Sequence, residues 1–177
     1  MQLLNIGDPD TTEENYMNVI YSKTAKLFEA SGSVAAIIAR EAGEQDYEKA
    51  LADYGMYLGT AFQLIDDILD YTASAEEMGK NTGDDLAEGK PTLPLIYAMR
   101  AGSNEDAALI KEALTNADIS KLDAILAIIE KTKSIDYTHL VAVEQAKKAI
   151  EALAPLPDSP YKEALVTLAQ YAVERTF

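Results

Sequence analysis

The chain contains no cysteine, no tryptophan and a single histidine. Without cysteine there is no disulfide framework. The absence fits a reducing compartment, and a cytoplasmic location is expected. One histidine, His139, cannot supply the paired-imidazole spacing of a zinc enzyme, and it is given no role. Nine glycines and six prolines in 177 residues are few, which disfavours turn-rich β architectures and low-complexity linkers. Positive charge is sparse: 15 Lys and Arg stand against 30 Asp and Glu, a net charge of −15. Such a surface does not suit a nucleic-acid backbone, so no nucleic-acid partner is expected. An anionic substrate stays open, because bound cations reverse the local sign. No apolar run approaches the ~20 residues of a membrane-spanning helix. Nor does a basic segment followed by an apolar stretch open the chain, as in a secretory leader.

What is present reads as helix. Apolar residues make up 48% of the chain, enough for a sizeable core. Ala, Leu, Ile, Glu and Lys dominate, and no strand alternation or internal repeat occurs. The expectation is an all-α fold with residues 1–177 as a single helical domain. Residues 1–9 read as a helix tail and a turn. Thr11-Thr12-Glu13-Glu14 starts a first long helix, with an apolar stripe of Tyr16, Ile20, Leu27 and Phe28 continuing to Val34, Ile37 and Ile38. Lys23 and Thr24 fall inside that stripe, and Ser31-Gly32-Ser33 suggests a bend. A second helix runs from about Asp46 to Thr72, and a loop of about 18 residues covers 73–90. Pro91 and Pro94 open a helix through Met99, and Ser103-Asn104-Glu105-Asp106 caps the next. Later helices carry Leu122, Ile125, Leu126 and Ile129, then Leu140, Val143, Ala146, Ala149 and Ile150, then Leu165, Leu168 and Val173 as their apolar sets. Ser159 caps the last of these, with Pro160 at its first position.

The chemistry concentrates in 54–100. Asp66-Asp67-Ile68-Leu69-Asp70 is a DDxxD run. Gly55, Gly59, Gln63, Asp66 and Asp70 follow at helical steps and share one face, beside an apolar stripe of Leu51, Tyr54, Leu58, Ile65 and Leu69. Small residues on that face leave room beside the carboxylates, which a ligand could use. Asp66 and Asp70 lie one turn apart, as two hard oxygen donors suited to Mg2+ with substrate phosphates. Lys80 and Lys90 flank Asp84 and Asp85 downstream, and lysines near such a cluster meet a diphosphate as point charges. The plain alternatives are a solvated acidic face for the DDxxD run, a snorkelling stripe-edge residue for Lys23, and a salt bridge to Asp84 or Asp85 for Lys90.

Taken together, Gly55-x3-Gly59-x2-Phe62-Gln63-x2-Asp66-Asp67-x2-Asp70, Gly79-Lys80, Gly83-Asp84-Asp85 and Glu88-Gly89-Lys90-Pro91-Thr92-x-Pro94 resemble the second aspartate-rich region of the trans-isoprenyl diphosphate synthases. Tyr21-Ser22-Lys23-Thr24-Ala25 and Leu156-Pro157-Asp158-Ser159 are similar to the long-chain polyprenyl branch of that family. The resemblance implies an antiparallel helical bundle of isoprenoid-synthase type, of which this chain holds the C-terminal half. The first aspartate-rich motif is not in the sequence. It also implies a prenyltransferase that elongates an allylic diphosphate, such as farnesyl diphosphate, with isopentenyl diphosphate, giving a long chain for quinone side chains. Mg2+ is the implied cofactor, with Asp66, Asp67 and Asp70 as its ligands. Lys23, Thr24, Gln63, Lys80 and Lys90 would bind the allylic diphosphate, with Lys23 and Lys80 catalytic. A homo-oligomer is implied as well. The missing half leads us to expect little activity from this chain alone, and apolar stripes left exposed. A non-catalytic helical subunit of a heteromeric synthase is the alternative.

Overall fold

The computed structural model describes residues 7–72 and 82–174. The helix tail expected before Gly7 and the expected site residue Lys80 therefore lie outside the described residues. All described elements are helical: α1 Glu13–Ile20, a π-helical turn Tyr21–Ala25, α2 Lys26–Glu41, α3 Glu48–Thr72, α4 Asp84–Ala87, α5 Leu93–Ala101, α6 Asn104–Asn116, a 3-10 turn Ile119–Lys121, α7 Leu122–Thr132, α8 Ser134–Ala152 and α9 Pro160–Glu174. The starts follow their capping residues. Thr12 Oγ1 accepts the Asn15 N–H at 3.2 Å at the head of α1. Ser103 and Asp106 exchange side-chain and backbone bonds in a full capping box before α6. Ser159 Oγ accepts the Lys162 N–H at 3.2 Å before α9.

The chain gathers into two compact units. The first comprises 7–19 with 66–72 and 82–140. In it α5 packs against α6 and α7. Leu86, Leu95, Ile110 and Ile125 are fully buried there and Leu114 nearly so. Each contributes about 1.5–3 kcal/mol by leaving water. The periodicity of Leu122, Ile125, Leu126 and Ile129 holds, with Ile125 and Ile129 buried and Leu122 and Leu126 packed against them. At the unit's surface Arg100 lies over the stacked rings of Tyr97 and Tyr137, and its guanidinium pairs with Glu13 at 3.0 Å. The Tyr137 hydroxyl donates to the same carboxylate at 2.9 Å, so α1 is tied down at its first turn.

The second unit comprises 20–65 and 141–174. Tyr54, Leu58, Ala149, Leu153, Ala169 and Ala172 form its core, and Tyr54 donates its hydroxyl to the Leu165 carbonyl at 2.8 Å. Here α2 and α3 cross at glycines. A Cβ on Gly32 would overlap the Leu51 carbonyl, one on Gly55 would overlap the Phe28 carbonyl, and one on Gly59 would sit 2.8 Å from Ala25 Cα. Gly32 is thus a crossing point in an unbroken α2, not a bend. Gly55 and Gly59 likewise hold no room for a ligand; the backbone of Ala25, Phe28 and Glu29 and the Phe28 ring fill it.

Several apolar stripes differ from the sequence expectation. Inward positions run Tyr16, Ile20, Ala25, Phe28, Gly32 and Ala36, and the five-residue step from Ile20 to Ala25 is the π-turn. One extra residue in that turn shifts the register, so Leu27, Val34 and Ile38 are 72%, 53% and 66% exposed. In α8 and α9 the expected Ala146 and Ala149 are inside, joined by Ser134, Thr138, Ala142, Ala169 and Ala172, while the expected Leu140, Val143 and Leu168 are exposed. The expected loop at 73–90 is also more ordered in its described part. Gly83, at φ 85° in the left-handed region open to glycine, starts the one-turn helix α4.

Candidate functional site

Two groups of expected site residues are brought together, one in each unit. In the second unit the π-turn carries Lys23 and Thr24. Thr24 is half-buried and its Oγ1 donates to Gln63 Oε1 of α3 at 2.7 Å. Gln63 is only 6% exposed, so this bond fixes a buried amide. Lys23 does not face inward: the wide turn that admits Thr24 leaves Lys23 exposed, without an ion pair among the described residues. Single π-turns inside α-helices recur at functional sites because they aim side chains an α-helix would turn elsewhere.

In the first unit the three aspartates of the DDxxD run have three different surroundings. Asp66 is exposed. Asp67 is 3% exposed and accepts a hydrogen bond from the Tyr16 hydroxyl at 2.5 Å. Asp70 is half-buried; its Oδ2 accepts the Asp85 N–H at 3.2 Å and its carbonyl accepts the Gly83 N–H at 2.9 Å. Helix α4 is therefore latched onto the end of α3. Lys90 takes the paired alternative: it bridges Asp85 at 3.1 Å and Glu88 at 2.7 Å. Tyr16 was not among the residues singled out from sequence. A tyrosine on an apolar stripe reads as core, and nothing in the one-dimensional pattern marks its hydroxyl.

Electrostatics separate these carboxylates further. Burial first, and the charge of Asp85 second, push Asp70 up to about 6. Its partners among the described residues are backbone N–H groups, and nearby charges are mostly of its own sign. That chemistry suits a divalent cation: Asp66 and Asp70 are hard donors one turn apart, and Asp70 gains from added positive charge. No group of three or more metal-capable side chains converges among the described residues, so Asp66, Asp67 and Asp70 do not form a closed three-ligand cage.

The raised Asp70 value has a consequence for stability. Its folded value lies above the 3.8 of a free carboxyl, so the folded state binds the proton more tightly. The contribution is fully present below pH 4 and is lost as pH rises through about 6. Asp70→Asn, which keeps an acceptor for Asp85, is expected to raise stability at pH 8 by up to about 2 kcal/mol in chelator. It should change nothing at pH 4. Thermal melts of both proteins across that range check the sign.

A family model described as polyprenyl synthetase matches residues 1–131. The chain belongs to the polyprenyl synthetase family. It is 55% identical over 177 residues to an octaprenyl diphosphate synthase of Haemophilus influenzae, covering 99% of this chain and 53% of the relative. It is 53% identical over 176 residues to the Escherichia coli enzyme of that name, covering 99% and 54%. Solved structures agree. A decaprenyl diphosphate synthase from Rhodobacter capsulatus superposes with a TM-score of 0.87 at 40% identity, over 98% of this chain and 53% of that one. A Caulobacter crescentus polyprenyl synthase, complexed with calcium and isoprenyl diphosphate, gives 0.90 at 37%, over 98% and 53%. The all-α isoprenoid-synthase fold is thereby shown, and the chain spans about half the length of the curated relatives it matches. No helix among the described residues is long and apolar enough to cross a membrane.

Proposed function

We propose that this chain is the C-terminal part of a trans-prenyltransferase. The enzyme elongates an allylic diphosphate, farnesyl diphosphate, with isopentenyl diphosphate to octaprenyl diphosphate for quinone side chains. The observation that carries the reading is helix α3. It presents Gln63, Asp66 and Asp70 at steps of three and four, in a chain 55% identical to an octaprenyl diphosphate synthase.

In this reading the allylic C–O bond breaks and negative charge grows on the diphosphate. Mg2+, when bound, supplies charge neutralisation at that leaving group. Asp66 and Asp70 are the residues that would hold it, with Asp67 beside them. Thr24 and Gln63, locked to each other, orient the diphosphate. Lys23 and Lys80 add fixed positive charge where the negative charge develops, and Lys90, already shared with Asp85 and Glu88, is the weakest of the three cations. The double bond of isopentenyl diphosphate attacks the allylic carbon, and a proton is then lost to the departing diphosphate. Asp66, Gln63 and Lys23 are all intact, which favours an enzyme over a non-catalytic subunit.

Because the relatives are about twice as long, the complete site needs their other half. The exposed Leu27, Val34 and Ile38 fit burial against that half or in an oligomer. The test is product formation from farnesyl and labelled isopentenyl diphosphate with Mg2+. The chain alone should give turnover far below the ~1 per second of an ordinary enzyme. Addition of the preceding half of a close relative should yield products ending at one length. A full product ladder from the chain alone would contradict the half-site reading; none in either case would contradict the enzyme reading.

A further inference from the structure

The pair Tyr16 and Asp67 joins residues 51 positions apart and is almost wholly removed from solvent, at 4% and 3% exposure. Burying a carboxylate is costly unless donors meet it, and here a phenol does so at 2.5 Å. Burial, then Asp67, hold the Tyr16 phenol well above its ordinary value, so its hydroxyl stays a donor. The pair sits at the only aspartate of the DDxxD run that points into the unit. Neighbouring residues on a helix are turned by about 100°, so a fixed bond at Asp67 sets the direction of Asp66 on one side and Asp70 on the other. A rotation of about 20° at side-chain radius would move either carboxylate by about 2 Å, several times the tolerance of a working site.

We infer that Tyr16 is a positioning residue: by holding the Asp67 carboxylate it fixes the rotation of α3 that turns Asp66 outward and Asp70 towards Asp85. The inference rests on the diphosphate-site reading above, and it reassigns Asp67 from direct metal ligand to the anchored member of the run. Tyr16 touches neither substrate nor metal in this account; it acts through Asp67.

The test uses this chain, inorganic pyrophosphate in excess Mg2+, and calorimetry. Tyr16→Phe removes one oxygen and keeps the ring that fills the core. It should weaken pyrophosphate binding by about 10-fold, the low end of what loss of a group that orients metal ligands costs. Tyr137→Phe is the control. It removes the Tyr137 hydroxyl bond to Glu13, in the first turn of the same helix α1, without touching Asp67, and should leave binding within twofold of the parent. Melting curves of all three proteins confirm that each is folded at the binding temperature. Binding by Tyr16→Phe within twofold of the parent would overturn the inference and leave the functional reading standing. Equal weakening by both variants would also overturn it, since loosening of α1 would then suffice. No binding by the parent would overturn the functional reading and this inference with it.

Discussion

Asp66→Ala is expected to abolish Mg2+-dependent pyrophosphate binding, by on the order of 100-fold or more, while leaving the fold intact. Among the three aspartates it is the one at the surface, and it shares a face with Gln63 and Asp70 by helical spacing. As a direct ligand its loss should exceed the 10–100-fold typical of supporting residues. Substitution of an exposed helical residue usually changes stability by no more than about 0.5 kcal/mol. Binding and folding should therefore separate cleanly at this position. Asp67→Ala should do the opposite: it strands the Tyr16 hydroxyl in a buried site, and melting temperature should fall along with binding. Calorimetry and melting curves on the two variants read both effects. An Asp66→Ala protein that binds like its parent would remove Asp66 from the site.

Gly55→Ala is expected to destabilise the second unit by about 2 kcal/mol or more. The sign decides between two views of the same residue. If Gly55 were merely an exposed or ligand-facing helical glycine, alanine would stabilise α3 by up to about 1 kcal/mol through propensity. The structure instead places the new Cβ against backbone: 2.6 Å from the Phe28 carbonyl carbon and 2.9 Å from the Glu29 nitrogen. No rotamer change relieves a clash with main chain. The helices α2 and α3 must part, and contacts of Phe28, Leu51, Tyr54 and Leu58 loosen along the crossing. Overpacking of this kind costs about 1–3 kcal/mol and sometimes more, which outweighs the propensity gain. For a chain of this length a net 2 kcal/mol corresponds to a fall of about 4–8 °C in melting temperature. Gly32→Ala, the reciprocal contact against Leu51, should behave in the same way.

The same glycines show where sequence reasoning reaches and where it stops. The period of α3 was legible: Tyr54, Leu58, Ile65 and Leu69 are buried as their spacing predicts. So were the capped starts of α1, α6 and α9, because a Ser or Thr before a helical run has a local physical reason to be there. A glycine on a helix face, however, signals only that something comes close. Ligand room and helix crossing make the same demand, and only the neighbour's position chooses between them. The stripe of α2 was misread for a different reason: a π-turn adds one residue at 21–25, and a period of 3.6 carried through it points at Leu27, Val34 and Ile38, when Ala25, Phe28, Gly32 and Ala36 are inside. In α8 the expected Ala146 and Ala149 are inside, but attention to large apolar residues passed over Ala142, Ala169 and Ala172. The residues proposed for the site were singled out by type, through DDxxD and the Lys23-Thr24 pair. Their internal division was legible only in part. The salt bridge of Lys90 to Asp85 was one of the alternatives the sequence offered, but that Asp67 turns to Tyr16 depends on a contact across 51 residues.

The central claim is that this chain holds a diphosphate site that needs a divalent cation. The most direct measurement is its melting temperature with pyrophosphate alone, Mg2+ alone, and both. A ligand present at 100 times its dissociation constant adds about 2.7 kcal/mol, a rise of roughly 5–10 °C for a chain of this size. The account predicts that rise with pyrophosphate and Mg2+ together, little with either alone, and none in the Asp66→Ala protein. No rise with both, or the same rise without Mg2+, would contradict it.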